Sequence, residues 1–385
     1  MKSNNLGIYV HIPFCIRKCL YCDFLSFAGC DETVYRAYTD AVCREIAFYG
    51  EHYCEVIGSE TKAQVDTIFI GGGTPTMIPA ECIAQIATAI KEHFQVTKDA
   101  EISIESNPKT LTEEKLNIYR EAGINRLSMG VQSLDDVVLK KLGRVHGSSD
   151  AREAFELARS CGFDNINLDL MFAVPGQDMD IWQRTLEEAI DMGPEHISFY
   201  SLQLEEGTEF FNMFEKGDLP MLSDEADREM YHYAVDRLKS AGYEHYEISN
   251  CAKGGRECRH NIKYWSLDNY LGVGLGAHSY VEGRRFSNET DLQKYISGHM
   301  VEWESQNTLE DDISDYVITV MRKMRGIDFK DFETRFGKKF FEAYPEQKSL
   351  VDEWKEQGFL EVTEEYMRFT IQGVDVSNTI LAEFV

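Results

Sequence analysis

The sequence lacks a long apolar run. No stretch approaches the roughly eighteen apolar residues that a membrane span needs, and the first ten, MKSNNLGIYV, hold no apolar core of a signal peptide. A spanning protein is therefore not expected, and a cytoplasmic location is. There, cysteines serve as reduced thiols or metal ligands rather than disulfides. Positive charge is also scarce. Lys and Arg number 39 against 66 Asp and Glu, a net charge of −27. Such a surface repels phosphate backbones, which argues against nucleic acid as a partner. It repels anionic lipid headgroups too, so membrane contact is limited to peripheral association through a local basic patch. Internal repeats and low-complexity segments are missing. What remains is a 385-residue chain, 43% hydrophobic and 27% charged, long enough for two or three globular domains.

The first two thirds alternate strand-like and helix-like segments. GIYVHIP, VDTIFIGG, EISIES, NRLSMGVQ, NINLDLM and HISFYSL read as short strands. Amphipathic stretches at 32–50, 80–94, 112–122, 148–161 and 181–192 read as helices, with Thr112 as a start and Gly123 as a stop. Regular alternation predicts a parallel sheet with right-handed crossovers. Six such units close only part of a barrel. A further helix is expected at 224–241, then an irregular stretch at 243–280 rich in Gly, Tyr and His. The end of the chain mixes helices (313–324, 329–336, 347–357) with a short strand pair, a small α+β domain resembling a winged helix. Its lack of a basic face discounts DNA binding. The expected divisions are a partial barrel at 1–242, a connecting segment at 243–305 and the small domain at 306–385.

Chemistry concentrates at the strand ends, where barrels of this type carry their sites. Cys15, Cys19 and Cys22 follow the first strand as C-x3-C-x2-C. A four-iron cluster normally takes four thiolates. Three leave one iron open to a ligand, whereas the bland alternative is three small apolar thiols. Gly71-Gly72-Gly73-Thr74-Pro75 follows the second strand, and its glycines allow close backbone approach. Glu105 ends the third strand, Gln132 the fourth, and Asp169 lies late in the fifth. Several motifs thus converge on one rim.

These motifs resemble the radical S-adenosylmethionine (SAM) superfamily. That resemblance implies a partial (β/α)6 barrel and a 4Fe-4S cluster held by Cys15, Cys19 and Cys22. It implies SAM contacts at Gly72, Gly73, Thr74, Glu105, Gln132, Arg144 and Asp169, with Tyr9 and Tyr21 as further cofactor contacts. The set YVHIPFCxxxCxYCDF, GGGTPT, ExNP, GVQS and PGQ is similar to the coproporphyrinogen-dehydrogenase-like branch along the whole chain. That branch has two groups: enzymes that oxidatively decarboxylate coproporphyrinogen III, and haem chaperones.

Three features favour the chaperones. The dehydrogenases carry a fourth cysteine where this chain has Phe24, and a longer stretch before the position of Tyr9. The chaperones carry HNxxYW, matched by His260, Asn261, Tyr264 and Trp265. This motif implies haem binding, with His260 as a candidate iron ligand. Arg256, Arg259 and Lys263 are candidate partners for propionates. The bland alternative is that His260 and Trp265 pack in an ordinary loop. Expected partners are haem and haem-accepting proteins, with a homodimer left open. The alternative function is coproporphyrinogen III dehydrogenase. Cys251, Cys258 and His260 carry a weaker zinc reading. Gly272–Ser279 is expected as a tight loop over the barrel mouth.

Overall fold

The computed structural model describes residues 5–57 and 63–385. Six strands lie parallel and side by side in chain order: β1 (Asn5–Ile12), β2 (Gln64–Gly72), β3 (Gln95–Ser106), β4 (Arg126–Gln132), β5 (Ile166–Phe172) and β6 (His196–Ser201). The helices α1 (Glu32–Ile57), α2 (Ala80–His93), α3 (Glu113–Glu121), α4 (Ser148–Ser160) and α5 (Met179–Met192) connect them. Each expected βα unit is present. Local chemistry explains the accuracy at α3. Thr112 accepts a hydrogen bond from the Lys115 backbone N–H at 3.2 Å, and Gly123 ends the helix at φ 89°.

Alternation along the strands sorts two environments. Ile8, Val10, Ile68, Ile70, Leu127, Met129, Leu168, Leu170, Ile197 and Phe199 belong to the hydrophobic core. Their neighbours Tyr9, Phe69, Arg126, Ser128, Asn167, Asp169 and Ser198 line a chamber inside the sheet's curve. The barrel interior is therefore polar. The core sits between sheet and helices, where Trp182 of α5 is fully buried and donates to the Met230 carbonyl at 2.9 Å.

The stretch expected to be irregular is instead ordered. After α6 (Asp224–Ser240) come β7 (Glu244–Glu247) and β8 (Asn250–Ala252), which extend the sheet beyond β6 in antiparallel fashion. The short helix α7 (Arg259–Trp265) follows, then β9 (Tyr270–Val273), which pairs parallel with β1. A meander of β10 (His278–Val281), β11 (Arg284–Asn288) and β12 (Val301–Gln306) completes a twelve-stranded open sheet. The loop expected over the barrel mouth is the β9–β10 turn. It is pinned to α1: the buried Glu45 carboxyl accepts from the Gly274 N–H at 2.9 Å, from Asn288 at 2.6 Å and from Tyr295 at 2.5 Å.

The C-terminal region opens with α8 (Leu309–Val320), whose Thr308 and Asp311 cap each other. It contains a small antiparallel sheet of β13 (Ile327–Asp328), β14 (Leu360–Val362) and β15 (Tyr366–Phe369), followed by short helical turns to Phe384. Arg335 ties this region to the segment after α7 by donating to the Ser266 carbonyl at 2.8 Å. Among the described residues, no helix is long and apolar enough to cross a membrane.

Candidate functional site

The C-terminal ends of β1 and β2 are stitched together. The Gly73 N–H donates to the Ile12 carbonyl at 2.9 Å, and the Thr74 N–H to the Phe14 carbonyl at 2.8 Å. The glycine motif thus lies against the cysteine loop. Two glycines are required there. Gly72 adopts φ 116°, and a Cβ on it would meet the His11 ring at 2.6 Å. A Cβ on Gly73 would stand 2.7 Å from the Phe14 carbonyl oxygen and 3.0 Å from the Cys15 sulfur.

A cavity of about 380 Å³ opens at this rim. Its walls gather Cys15, Cys19, Tyr21, Cys22, Gly72, Gly73, Thr74, Glu105, Gln132, Arg144 and Asp169. Arg144 reaches Cys19 Sγ at 3.5 Å while donating to the Gly130 carbonyl at 2.6 Å. Cys15 Sγ lies 3.7 Å from Thr74 Oγ1. Gln132 is held at φ 66°, a left-handed backbone uncommon for a residue other than glycine and concentrated at functional sites.

Burial dominates the electrostatics of the cavity. It pushes the Cys22 thiol up to about 11 and raises Cys15 as well. A thiolate there needs adjacent positive charge, which bound iron supplies. Among the described residues, no three His, Cys, Asp or Glu side chains are already gathered in a metal-holding cluster. The three thiols share one wall rather than a closed cage. As donors they suit an iron–sulfur cluster, being soft, close in sequence and facing one cavity. Among the described residues, Cys251, Cys258 and His260 are not gathered as a metal-holding group, so the zinc reading has no geometric support.

Glu105 accepts from the Gly72 N–H at 2.9 Å. Burial, then the nearby Asp169 charge, pushes its carboxyl up to about 8. Burial also raises Asp169, against hydrogen bonds from Asn167 at 2.8 Å and Ser128 at 3.3 Å. Both carboxyls also face the inner chamber, of about 200 Å³, on the side away from the rim.

Two predicted residues stand apart. Tyr9 lines the inner chamber, with its hydroxyl 2.9 Å from His11 Nδ1. His260 is fully buried on α7. Its Nδ1 lies 2.9 Å from Thr67 Oγ1 and its Nε2 2.9 Å from the Tyr264 hydroxyl. The ring stacks on Phe69 at 5.4 Å. Burial, with the charges of Lys263 and Arg126, pushes its pKa down to about 3. Both ring nitrogens are thus engaged within the fold, away from the rim cavity.

The motif's basic neighbours are engaged too. Lys263 is 2.8 Å from Asp66, and Arg259 donates to the Asp99 carbonyl at 2.8 Å. Glu101 accepts the Arg259 and His260 N–H groups, each at 3.1 Å, and so caps α7. Asn261 and Tyr264 face the inner chamber as its floor.

Sequence reasoning missed several walls of the rim cavity. Ile16 and Phe24 are exposed large apolar groups at its edge. Tyr200, near the end of β6, lines both the cavity and the inner chamber. The strand-end logic that selected Asp169 would have selected Tyr200 as well.

A curved parallel sheet with a three-cysteine loop, a glycine turn and half-buried acids at its C-terminal rim defines a radical-SAM-type protein. Comparisons with known proteins agree. Residues 9–189 match the Radical SAM superfamily, and residues 307–376 match the HemN C-terminal domain. Heme chaperone HemW of Bacillus subtilis (strain 168) is 36% identical, over 98% of each chain. Heme chaperone HemW of Escherichia coli (strain K12) is 32% identical, over all of this chain and 99% of its own. Coproporphyrinogen III oxidase (HemN) from Escherichia coli, described as a radical SAM enzyme, shares the fold with a TM-score of 0.85 at 24% identity, covering 99% of this chain and 90% of that one. The chain belongs to the radical SAM superfamily, in the coproporphyrinogen III dehydrogenase-like branch that contains the HemW proteins.

Proposed function

We propose that this protein is a cytoplasmic haem chaperone that binds haem and passes it to haem-dependent proteins. The observation that carries the site is the shared cavity, where three thiols, the GGGTP turn and two half-buried acids meet. In this reading Cys15, Cys19 and Cys22 hold a 4Fe-4S cluster, which supplies an open iron and an electron when bound. Gly72, Gly73 and Thr74 offer backbone to the methionine end of SAM. Glu105, Gln132, Arg144 and Asp169 orient the rest of that ligand, with Tyr21 packed beside Cys19 and Cys22. Likeness to the HemW proteins along the full chain supports haem as the cargo. His260 acts as a floor residue rather than as the iron ligand. Phe24 stands where the dehydrogenases carry a cysteine, which supports the chaperone over the decarboxylase.

The test pairs two anaerobic assays on cluster-reconstituted protein. Haem titration followed by absorbance is expected to show saturable binding, and mixing with an apo-haem protein to show transfer. Incubation with coproporphyrinogen III, SAM and a strong reductant is expected to leave the porphyrinogen unchanged by mass spectrometry, beside an active dehydrogenase control. Protoporphyrinogen formation at the control's rate would overturn the chaperone reading.

A further inference from the structure

The inner chamber holds an unusual cation. Arg126 opens β4 and is 2% exposed. It lines the chamber together with Glu105 and Asp169, and its Nε has no hydrogen-bond partner. A buried guanidinium left partly unpaired is costly, so its retention beneath two acids calls for a reason. Ser128, the next inward residue on β4, donates to Asp169 at 3.3 Å. Arg126 therefore stands one layer below the acids, on the same face of its strand.

Glu105 and Asp169 line both spaces, and in the rim cavity they stand with Arg144. Each carboxyl is raised by burial, and the Arg126 charge works against that rise at both. Other groups face Arg126: Glu101 on β3, His196 on β6, Tyr246 on β7, and Cys258 and His260 around α7. Burial holds both histidines neutral at pH 7, and it raises Tyr246 and Cys258, which stay protonated. Glu101 is occupied in capping α7. Arg126 is thus the cation that acts on the two rim acids from the chamber side, while Arg144 lines the rim cavity on the other.

We propose that Arg126 is a positioning residue: from beneath the pocket it sets the charge of the Glu105–Asp169 pair, and so how strongly the pocket prefers a cationic sulfonium ligand over its neutral thioether counterpart. The proposal rests on the reading of the rim cavity as a SAM site. Ionised acids attract the sulfonium, whereas protonated acids leave only shape and hydrogen bonds, which both ligands share.

The test measures binding of SAM and of S-adenosylhomocysteine, which lacks the sulfonium charge, by calorimetry on cluster-reconstituted protein between pH 6.5 and about 9, a window bracketing the raised Glu105. In the parent protein the preference for SAM is expected to grow as pH rises. In Arg126→Met that growth is expected to move up by about one pH unit, which lowers the preference near pH 7.5 by up to about tenfold. Arg126→Lys keeps the charge and is expected to keep the parent profile. Thermal unfolding confirms that each variant is folded, and Arg126→Lys carries the comparison if Arg126→Met is not. Parallel weakening of both ligands at every pH, with the preference unchanged, would reduce Arg126 to a packing role and overturn the proposal. A displaced profile in Arg126→Lys would overturn it equally. A parent protein that binds neither ligand would instead remove the SAM reading, and this proposal with it.

Discussion

The two ends of the barrel make opposite use of conspicuous residues. At the C-terminal rim, thiols, glycines and acids line an open cavity. At the other end, HNxxYW sits on a short helix whose polar atoms are largely spent on the fold. Glu101 caps it, Lys263 meets Asp66, and His260 bridges Thr67 and Tyr264. Both motifs stand out in the sequence. Only one presents free chemistry. A motif reports that residue types are needed together; exposure and unspent hydrogen-bonding capacity decide whether they are needed by a ligand or by the fold.

Substitutions at the two ends should therefore fail differently. The largest effect is expected at the rim. Cys19→Ala removes one of the three proposed thiolate ligands, and iron and acid-labile sulfide after reconstitution should fall to near background while the fold persists. Full iron content in that variant would exclude Cys19 from the cluster. At the floor, the loss should be of stability. His260→Ala leaves Thr67 and Tyr264 without their shared partner and opens a void beside Phe69. A cost of about 3 kcal/mol is expected in urea unfolding. Haem affinity, measured well below the unfolding midpoint, should be unchanged. A folded His260→Ala protein that no longer binds haem would overturn the floor role assigned here.

A smaller, functional effect is expected from Glu105→Gln. The amide keeps the shape that receives the Gly72 N–H but removes the charge. SAM affinity above pH 8 should fall by about tenfold, the worth of a single charge-assisted contact. Thermal stability should hold or rise, because a buried carboxyl is no longer confined. A fall in stability with SAM affinity intact would show that Glu105 serves the fold as His260 does.

How far the sequence revealed this contrast depends on what each feature requires. The six parallel strands and their helices were legible because local signals agree, as with Thr112 and Gly123 around α3. The strand β9 was not. It has four residues, one of them Gly272, and its place is set by pairing with β1 far away in the chain. The rim set was legible through the strand-end rule, which nevertheless passed over Tyr200 in the same position on β6. The polar barrel interior escaped notice because Arg126, Asn167 and Ser198 look like ordinary alternation in half-exposed strands. The burial of His260 depends on Thr67 and Phe69, nearly two hundred residues away in the chain. No local pattern reports it.

The subtlest difference between the ends is their response to pH. Glu105 at the rim is pushed up to about 8, from an ordinary value of 4.5. His260 at the floor is pushed down to about 3, from 6.5. Above 4.5 the unfolded chain releases a proton that folded Glu105 keeps, so this group lowers stability as pH rises from 4.5 to about 8. Below 6.5 the unfolded chain takes up a proton that folded His260 refuses, so that group lowers stability as pH falls from 6.5 to about 3. Each acts with a slope of up to about 1.4 kcal/mol per pH unit. Between 4.5 and 6.5 the two slopes oppose one another. Outside that overlap each acts without the other, against the contributions of Glu45, His146 and other shifted groups that the parent and the variants share. Urea unfolding compared with the parent should therefore show Glu105→Gln flattening the decline between pH 6.5 and 8, and His260→Gln flattening it below pH 4.5. Identical profiles for the two variants would mean that rim and floor titrate as one buried network rather than as an open site above a closed plug.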